Sequence, residues 1–215
     1  MSATYAVNLD LSGRPALVVG GGRVAARKVT GLLRAGADVT VVSPTAVPEI
    51  ADDPDVRWFQ RPYQRGEVAS YRLAITATDD ADVNAQVASD ADSAGVFVNS
   101  ADDPANCSFT LPAVARRGDV QVAISTNGRS PALSRWLRRR YERELSAGYD
   151  QLLDLLSEVR AEVRAAKGTS EVAGWDDALD ADLLGLVRSG RINDARTVLL
   201  DSLGIDDTVP TEVAS

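Results

Sequence analysis

The sequence predicts an α/β protein with a parallel sheet, then a β-hairpin with a long helix, then a small helical domain. Three observations support this prediction. Short apolar runs alternate with helix-like stretches up to residue 104, two strand-like segments flank a polar turn after it, and leucines recur at helical spacing from residue 148 onward. Alternating strands and helices are typical of a doubly wound parallel sheet, because each parallel strand needs a crossover connection to the next.

The first strand, the first helix and the second strand form one βαβ unit. Residues 16–19 are continuously apolar, as in a strand that is buried on both faces. Three glycines follow, and residues 23–35 carry apolar side chains near helical spacing before Gly36, which suits a C-terminal cap. Residues 38–43 then form the second strand.

The remaining segments before residue 104 complete the sheet. We expect strands over residues 55–60, 71–76 and 95–99, with a helix over residues 80–94. Together these elements predict a Rossmann-like domain over residues 1–104.

The second half of the chain follows a different pattern. Residues 107–115 and 120–126 are strand-like and are separated by the polar turn Arg116-Arg117-Gly118-Asp119, which predicts a hairpin. Ser130 and Pro131 suit an N-cap and a first helical position, so a helix is predicted from there to about residue 145. We expect the hairpin and helix to form a unit over residues 105–147, followed by a helical domain over residues 148–205 and an acidic tail over residues 206–215.

The composition limits the function classes. The net charge is −8 over 215 residues, and Lys28 and Lys167 are the only lysines. An acidic, lysine-poor surface suggests a salt-adapted host, and it argues against nucleic-acid binding, which needs a broad positive surface. We find no signal peptide or membrane-spanning stretch, so we expect a cytoplasmic protein that does not bind a membrane.

Histidine is absent and Cys107 is the only cysteine, so the commonest ligands of a transition-metal site are missing. We therefore expect no bound metal. Any proton transfer must use a carboxylate, a hydroxyl or water. We interpret Cys107 as a buried small side chain.

Residues 20–25, GGGRVA, fit the glycine-rich pattern of a dinucleotide-binding loop. The first glycine permits a tight turn, Gly22 lets the backbone approach a pyrophosphate, and Ala25 allows the helix to pack closely on the strand. Free N–H groups at the helix N-terminus then face the phosphates. We expect the cofactor to contact Gly20, Gly21, Gly22, Arg23 and Val24. A structural turn in a domain without a ligand is the alternative.

The end of the second strand lacks the acidic residue that often binds the adenosine ribose. Ser43, Pro44 and Thr45 stand there instead and offer hydroxyl and backbone contacts. A carboxylate would repel a 2′-phosphate and favour NAD. Charge at this position therefore does not choose between NAD and NADP, unless Arg23 reaches the phosphate.

Three further segments carry a family resemblance: AITATDD at residues 74–80, VNSADDP at residues 98–104 and STNGRSPALSR at residues 125–135. With GGGRVAARK and SFTLPAV in this order and spacing, they resemble the siroheme synthase family in its precorrin-2 dehydrogenase module. The resemblance covers residues 8–143. It implies NAD-dependent oxidation of precorrin-2 to sirohydrochlorin by a homodimer that is joined through the hairpin and helix. The length leaves no room for the methyltransferase domain of fused members, so we expect the stand-alone form.

The resemblance also implies roles for individual residues. The acid of the family's Asn-x-x-Asp segment falls on Asp102, which we expect to be the catalytic general base in preference to Asp103. We expect Asn99, Thr126 and Arg129 to contact the substrate. We expect Thr78 to contact the cofactor.

Several alternatives stay open. Asp102 can be a turn residue before Pro104, and Thr126 can be a strand-end hydroxyl bonded to its own turn. Some family members also insert ferrous iron into sirohydrochlorin, and without histidine that proton transfer would again fall to Asp102. A dinucleotide-sensing regulatory domain without catalysis is the alternative function, although such a domain would need neither a catalytic aspartate nor an arginine-rich helix.

Overall fold

The computed structural model describes residues 4–101, 103–145 and 147–205. The chain divides into two compact units, Met1–Leu111 and Pro112–Ser215. The predicted acidic tail at residues 206–215 lies outside the described residues. The division into domains at residues 104, 147 and 205 stays a prediction.

The first unit is a five-stranded parallel sheet, which confirms the predicted fold class. Its strands are ordered β3-β2-β1-β4-β5 across the sheet. The strands are β1 (Pro15–Val19), β2 (Asp38–Val42), β3 (Val56–Phe59), β4 (Leu73–Thr76) and β5 (Phe97–Ser100). The helices are α1 (Arg23–Arg34), the short α2 (Pro48–Ala51) and α3 (Ala81–Ala94), with 3₁₀ turns at Glu67–Ser70 and Pro104–Asn106.

Strand β1 lies at the centre of the sheet and is buried on both faces. Val18 packs in one apolar cluster with Val29 of α1, and Val19 packs in a second cluster with Val87 of α3. Successive side chains of a strand point to opposite faces of the sheet. The continuous apolar run of β1 therefore packs against the helices on both faces.

The segment after β5 covers the free edge of that strand instead of forming a strand of its own. The hydroxyl of Ser108 accepts a hydrogen bond from the Val98 N–H at 2.7 Å, and the Ser108 N–H donates to the Val98 carbonyl at 2.9 Å. The predicted strand over residues 107–115 is therefore wrong in its first half. Regular pairing begins only after Pro112, which has no N–H to donate.

The second unit begins with an antiparallel hairpin of β6 (Ala113–Arg117) and β7 (Val120–Ile124). Arg117 pairs with Val120, so the turn contains only Gly118 and Asp119, and the predicted four-residue turn is wrong. Gly118 has a φ of 52°, as tight two-residue turns require. The Arg117 guanidinium also lies 3.2 Å from the carboxylate of Asp150, at the end of the hairpin.

The rest of the second unit is helical. Its helices are α4 (Pro131–Glu144), α5 (Tyr149–Lys167), α6 (Trp175–Asp180), α7 (Leu183–Arg188) and α8 (Ile192–Leu203). The predicted N-cap is confirmed, because the Ser130 hydroxyl accepts a hydrogen bond from the Leu133 N–H. Val159 of α5 and Leu199 of α8 are fully buried in the helical core, and Lys167 Nζ donates to the Leu203 carbonyl at the end of α8. None of the helices in the described ranges is both long and apolar enough to cross a membrane.

Candidate functional site

The glycine loop lies at the carboxyl end of β1, where the strand order reverses between β1 and β4. In open α/β sheets this switch point is where ligands bind. Gly20 has a φ of 122°, and a Cβ there would collide with the backbone carbonyl of Ala77 after β4. A Cβ on Gly21 would collide with the backbone carbonyl of Thr45. These two glycines therefore let the loops after β1, β2 and β4 pack together.

Gly22 has the opposite environment. A Cβ on this residue would meet no atom within 4 Å among the described residues, and its φ of −82° is open to any residue. Gly22 is the N-cap of α1 and provides no side-chain hydrogen bond to the helix. The first bond inside the helix runs from the Ala26 N–H to the Gly22 carbonyl, so the N–H groups of Arg23 and Val24 have no partner inside the helix. This N-terminus fits a pyrophosphate.

The loop after β2 places two hydroxyl groups beside the glycine loop. Ser43 is buried, its carbonyl accepts the indole N–H of Trp58 at 3.0 Å, and its own hydroxyl has no partner in the described part of the chain. Thr45 and Pro44 are exposed. The Val47 N–H donates to the Gly21 carbonyl at 2.8 Å, which holds this loop against the glycines. The arrangement offers neutral hydroxyls to a ribose.

Thr78 lies on the same edge of the sheet, but its hydroxyl is already engaged. Its Oγ1 lies 2.9 Å from the amide oxygen of Asn84 and 2.9 Å from the carbonyl of Asp80. The buried Asn84 side chain donates in return to the Thr78 carbonyl. Any hydroxyl contact from Thr78 to a cofactor must therefore compete with these bonds, which close the loop between β4 and α3.

Asp102, the predicted general base, lies outside the described residues. The residues on either side of it in the sequence are well anchored. The Ala101 N–H donates to the Thr76 carbonyl at 2.8 Å, and the Asp103 carboxylate accepts a hydrogen bond from the Asn106 amide at 2.7 Å. The loop thus starts at the carboxyl end of β5, on the same edge of the sheet as the glycine loop.

Asn99 is buried, and its amide nitrogen donates to the Phe109 carbonyl at 3.0 Å. Its side chain therefore holds the segment after β5 against that strand. Cys107 takes part in the same network and is only half-buried, so our interpretation of Cys107 as a buried small side chain is wrong. No spacing pattern in the sequence indicates its hydrogen bonds, because its partners are mostly backbone groups.

The two remaining predicted residues, Thr126 and Arg129, share one turn in the second unit. The Thr126 hydroxyl accepts a hydrogen bond from the Ser130 N–H at 3.1 Å and lies 3.2 Å from the hydroxyl of Ser134. The Arg129 N–H donates to the Thr126 carbonyl, and the Arg129 side chain is exposed. Asn127, between them, has a φ of 50°. Sequence reasoning missed Ser134, which lies on the buried face of α4.

The exposed face of α4 carries several arginines. Arg138 pairs with Glu142, and the Arg140 guanidinium lies 5.9 Å from the ring centre of Trp136. Arg135 and Arg139 are exposed. Within the described ranges, no group of three or more histidine, cysteine or acidic side chains is placed to hold a metal ion.

Comparisons with known proteins agree with this geometry. Residues 7–113 match the family described as "Putative NAD(P)-binding", and residues 117–144 match the family described as "Sirohaem biosynthesis protein central". The chain is 39% identical to a siroheme synthase of Methylococcus capsulatus over 90% of its length, and 38% identical to one of Thioalkalivibrio sulfidiphilus over 94%. It spans 42% and 43% of the length of these two relatives.

A solved structure named SirC, precorrin-2 dehydrogenase, has a similar fold. It superimposes with a TM-score of 0.67 at 28% identity, and the match covers 93% of this chain and 98% of that one. The first unit therefore contains an NAD(P)-binding domain. Together these matches show that the chain belongs to the siroheme synthase family.

Proposed function

We propose that this chain oxidises precorrin-2 to sirohydrochlorin with NAD as the hydride acceptor. The observation that carries the proposal is the open N-terminus of α1 at Gly22, on the same edge of the sheet as the loop after β5. A family relative described as a precorrin-2 dehydrogenase supports the choice of substrate.

The cofactor would be held mainly by backbone groups. The N–H groups of Arg23 and Val24 would bind the pyrophosphate, while the hydroxyls of Ser43 and Thr45 would contact the adenosine ribose. Bound NAD supplies the acceptor for a hydride. The choice of NAD over NADP rests on the family resemblance. Charge does not decide it, because residues 39–48 contain no charged side chain that would distinguish the two cofactors.

We assign the proton transfer to Asp102. Removal of two hydrogens from precorrin-2 releases one hydride and one proton, and a carboxylate positioned at the substrate can accept the proton. Arg129 would bind a carboxylate of this polyanionic substrate through its guanidinium fork. The Asn99 amide and the Thr126 hydroxyl would contact the substrate after giving up some of their present hydrogen bonds.

We also propose that the protein works as a homodimer joined through the hairpin and α4. Leu133 and Trp136, three residues apart on α4, have 47% and 49% of their surface exposed, and neighbouring exposed apolar side chains mark interaction surfaces. Replacing Trp136 with Glu should shift the sedimentation coefficient from that of a dimer to that of a monomer. An unchanged coefficient would contradict this role of α4.

The acidic, lysine-poor composition leads us to propose a cytoplasmic protein of a salt-adapted host. Its surface should stay hydrated in concentrated salt, where repulsion between like charges is screened. The melting temperature is then expected to rise between 0.1 M and 2 M KCl. A melting temperature that falls over this range would contradict the proposal.

The decisive experiment is anaerobic incubation with precorrin-2 and either NAD or NADP, followed through the absorbance of sirohydrochlorin. Wild-type protein should form product with NAD, and Asp102→Ala should lose most of the turnover while still binding the cofactor. No product with either cofactor would contradict the dehydrogenase. Cofactor binding without turnover would favour the sensing alternative. Adding Fe²⁺ to authentic sirohydrochlorin tests iron insertion separately.

A further inference from the structure

The carboxyl ends of β2 and β3 lie side by side at the loop that we assign to the adenosine ribose. The N–H groups of Ser43 and Arg61 both donate to the carbonyl of Phe59, at 3.2 and 2.8 Å. The backbone of Arg61 therefore lies next to that of Ser43, a buried residue whose hydroxyl has no partner in the described part of the chain. Residues 39–48 carry no charge, and Arg61 is the first charged residue after β3.

The Arg61 guanidinium is engaged in an ion pair with Glu67. Its two terminal nitrogens lie 3.0 and 2.6 Å from the two carboxylate oxygens, and one of them also donates to the Pro62 carbonyl at 3.0 Å. The guanidinium carbon lies 5.3 Å from the ring centre of Phe59. Glu67 is itself held, because its carboxylate accepts the Gln64 N–H at 2.6 Å and only 17% of its side chain is exposed. Two parallel charge-assisted bonds fix the direction of the guanidinium.

NAD and NADP differ by a phosphate on the 2′ oxygen of the adenosine ribose. In this fold an arginine near the ribose accommodates the 2′-phosphate of NADP, because a guanidinium fork matches the phosphate oxygens. Arg61 starts from a suitable place, beside Ser43. Its charge, however, is already compensated by the Glu67 carboxylate. The ion pair therefore keeps this positive charge from the ribose.

We propose that Glu67 is a specificity-determining residue, which holds the Arg61 guanidinium and so keeps from the ribose site the positive charge that would bind a 2′-phosphate. The proposal rests on the proposed function, in which the ribose lies at Ser43 and Thr45. Neutral hydroxyls at these two positions accept either cofactor. The preference for NAD then depends on the ion pair after β3, outside the glycine loop and outside the loop after β2.

Replacing Glu67 with Gln tests the proposal, because it removes the charge but keeps the side-chain length and an oxygen for the Gln64 N–H. Arg61 is then released to bind the 2′-phosphate, and one charge-assisted hydrogen bond corresponds to about tenfold in affinity. Calorimetric titration should show about tenfold tighter binding of NADP and nearly unchanged binding of NAD. Unchanged affinity for NADP would overturn the proposal, and so would an equal gain for both cofactors.

The gain must depend on Arg61. In the double variant Glu67→Gln with Arg61→Gln it should disappear, because no guanidinium remains after β3. A gain that survives there would come from another group, such as Arg23, and would overturn the proposal.

Arg61→Gln alone should change the preference in the opposite direction. This variant leaves the Glu67 carboxylate unpaired near the ribose, where it repels a phosphate, so NADP should bind more weakly relative to NAD. An unchanged ratio of the two affinities would overturn the proposal. This variant also decides the question if Glu67→Gln does not fold.

Asp38→Asn is the matched control. Asp38 lies 3.7 Å from the Arg57 guanidinium, in a second ion pair between the same two strands, and it is the first residue of β2. The substitution changes the net charge by the same amount, but at the edge of the sheet opposite the glycine loop. The ratio of NADP to NAD affinity should stay at the wild-type value. A gain equal to that of Glu67→Gln would show a general effect of charge and would overturn the specific role of Glu67.

Binding measurements separate this proposal from the proposed function, because they need no precorrin-2. A wild type that binds NAD but forms no sirohydrochlorin would contradict the proposed function and leave the test of Glu67 intact. Turnover with NAD, together with an unchanged ratio of affinities in Glu67→Gln, would contradict only the role of Glu67. Wild-type protein that binds NADP as tightly as NAD, or binds neither, would also overturn that role.

Discussion

The backbone carbonyl of Ala77 occupies the space in which a side chain on residue 20 would begin. Two residues further on, Gly22 faces open space. The same glycine loop thus contains one glycine that the fold requires and one that the described fold does not require, at the position where we propose that the pyrophosphate binds. This contrast allows the folding role of the loop to be separated from its binding role.

Replacing Gly20 with Ala should destabilise the protein. The residue has a φ of 122°, which only glycine adopts without strain, and the added Cβ would meet backbone atoms that cannot move independently. We expect a loss of at least about 2 kcal/mol in the free energy of unfolding. Urea denaturation checks this value, and a variant as stable as the wild type would contradict the close packing of Gly20 against Ala77.

Replacing Gly22 with Ala should leave the fold intact and weaken dinucleotide binding. Its φ of −82° suits alanine, and the new methyl group would meet no described atom. The methyl group would instead occupy the space through which a pyrophosphate approaches the helix. Calorimetric titration with NAD should show at least about tenfold weaker binding, equal to about 1.4 kcal/mol. Unchanged affinity would place the pyrophosphate elsewhere.

The hydroxyls of Thr76 and Ser100 form a buried pair between β4 and β5, with their oxygens 3.0 Å apart. Replacing Thr76 with Val preserves the shape but leaves the Ser100 hydroxyl without this partner, so the cost should be about 1–3 kcal/mol. The double variant Thr76→Val with Ser100→Ala removes both hydroxyls and should recover part of that loss. A double-mutant cycle in urea measures the coupling, and additive losses would contradict it.

Asp90 should make the stability of the first unit depend on pH. Burial opposes ionisation of its carboxyl, but hydrogen bonds from the Gly66 N–H, the Tyr63 hydroxyl and the Gln86 amide outweigh it, so the pKa of Asp90 lies below its usual value. The stabilisation is therefore fully present above the unfolded-state pKa of about 3.9 and is lost as the pH falls through the lower folded-state pKa.

Comparison with Asp90→Asn tests this dependence, because the amide cannot ionise. The difference in unfolding free energy between the wild type and the variant should be roughly 1–3 kcal/mol at pH 7 and should shrink below about pH 4. A difference that stays constant down to pH 2 would show that the Asp90 carboxylate has an ordinary pKa in the folded protein.

Asn127 takes a left-handed conformation, with a φ of 50°, in the turn before α4. Glycine adopts this conformation without cost and asparagine tolerates it, whereas a Cβ without a polar group is disfavoured by about 1–2 kcal/mol. Both substitutions remove the asparagine side chain, so the backbone effect is the difference between them, and Asn127→Ala should have a lower melting temperature than Asn127→Gly. Equal melting temperatures for the two variants would indicate that the turn is not strained.

The sequence-based predictions succeeded where chemistry is local. The apolar run of β1 and the glycines after it predict the central strand and its turn, because both depend on neighbouring residues. The local sequence predicts a four-residue hairpin turn, whereas the structure has two residues there. The length of the turn depends on the pairing of Arg117 with Val120 across the two strands, which the local sequence does not specify. The hydrogen bonds of Cys107 could not be predicted, since its partners Ser100 and Asp103 come close to it only through the fold.

The bonds between Ser108 and Val98 have a practical consequence for dividing the chain. A fragment that ends at residue 104 would lack Ser108, and it would leave the N–H and carbonyl of Val98 exposed on the edge strand β5. Such an edge can accept a strand from another molecule and promote aggregation. A fragment that continues to Leu111 keeps this cover, so it is the better choice for expressing the nucleotide-binding unit alone.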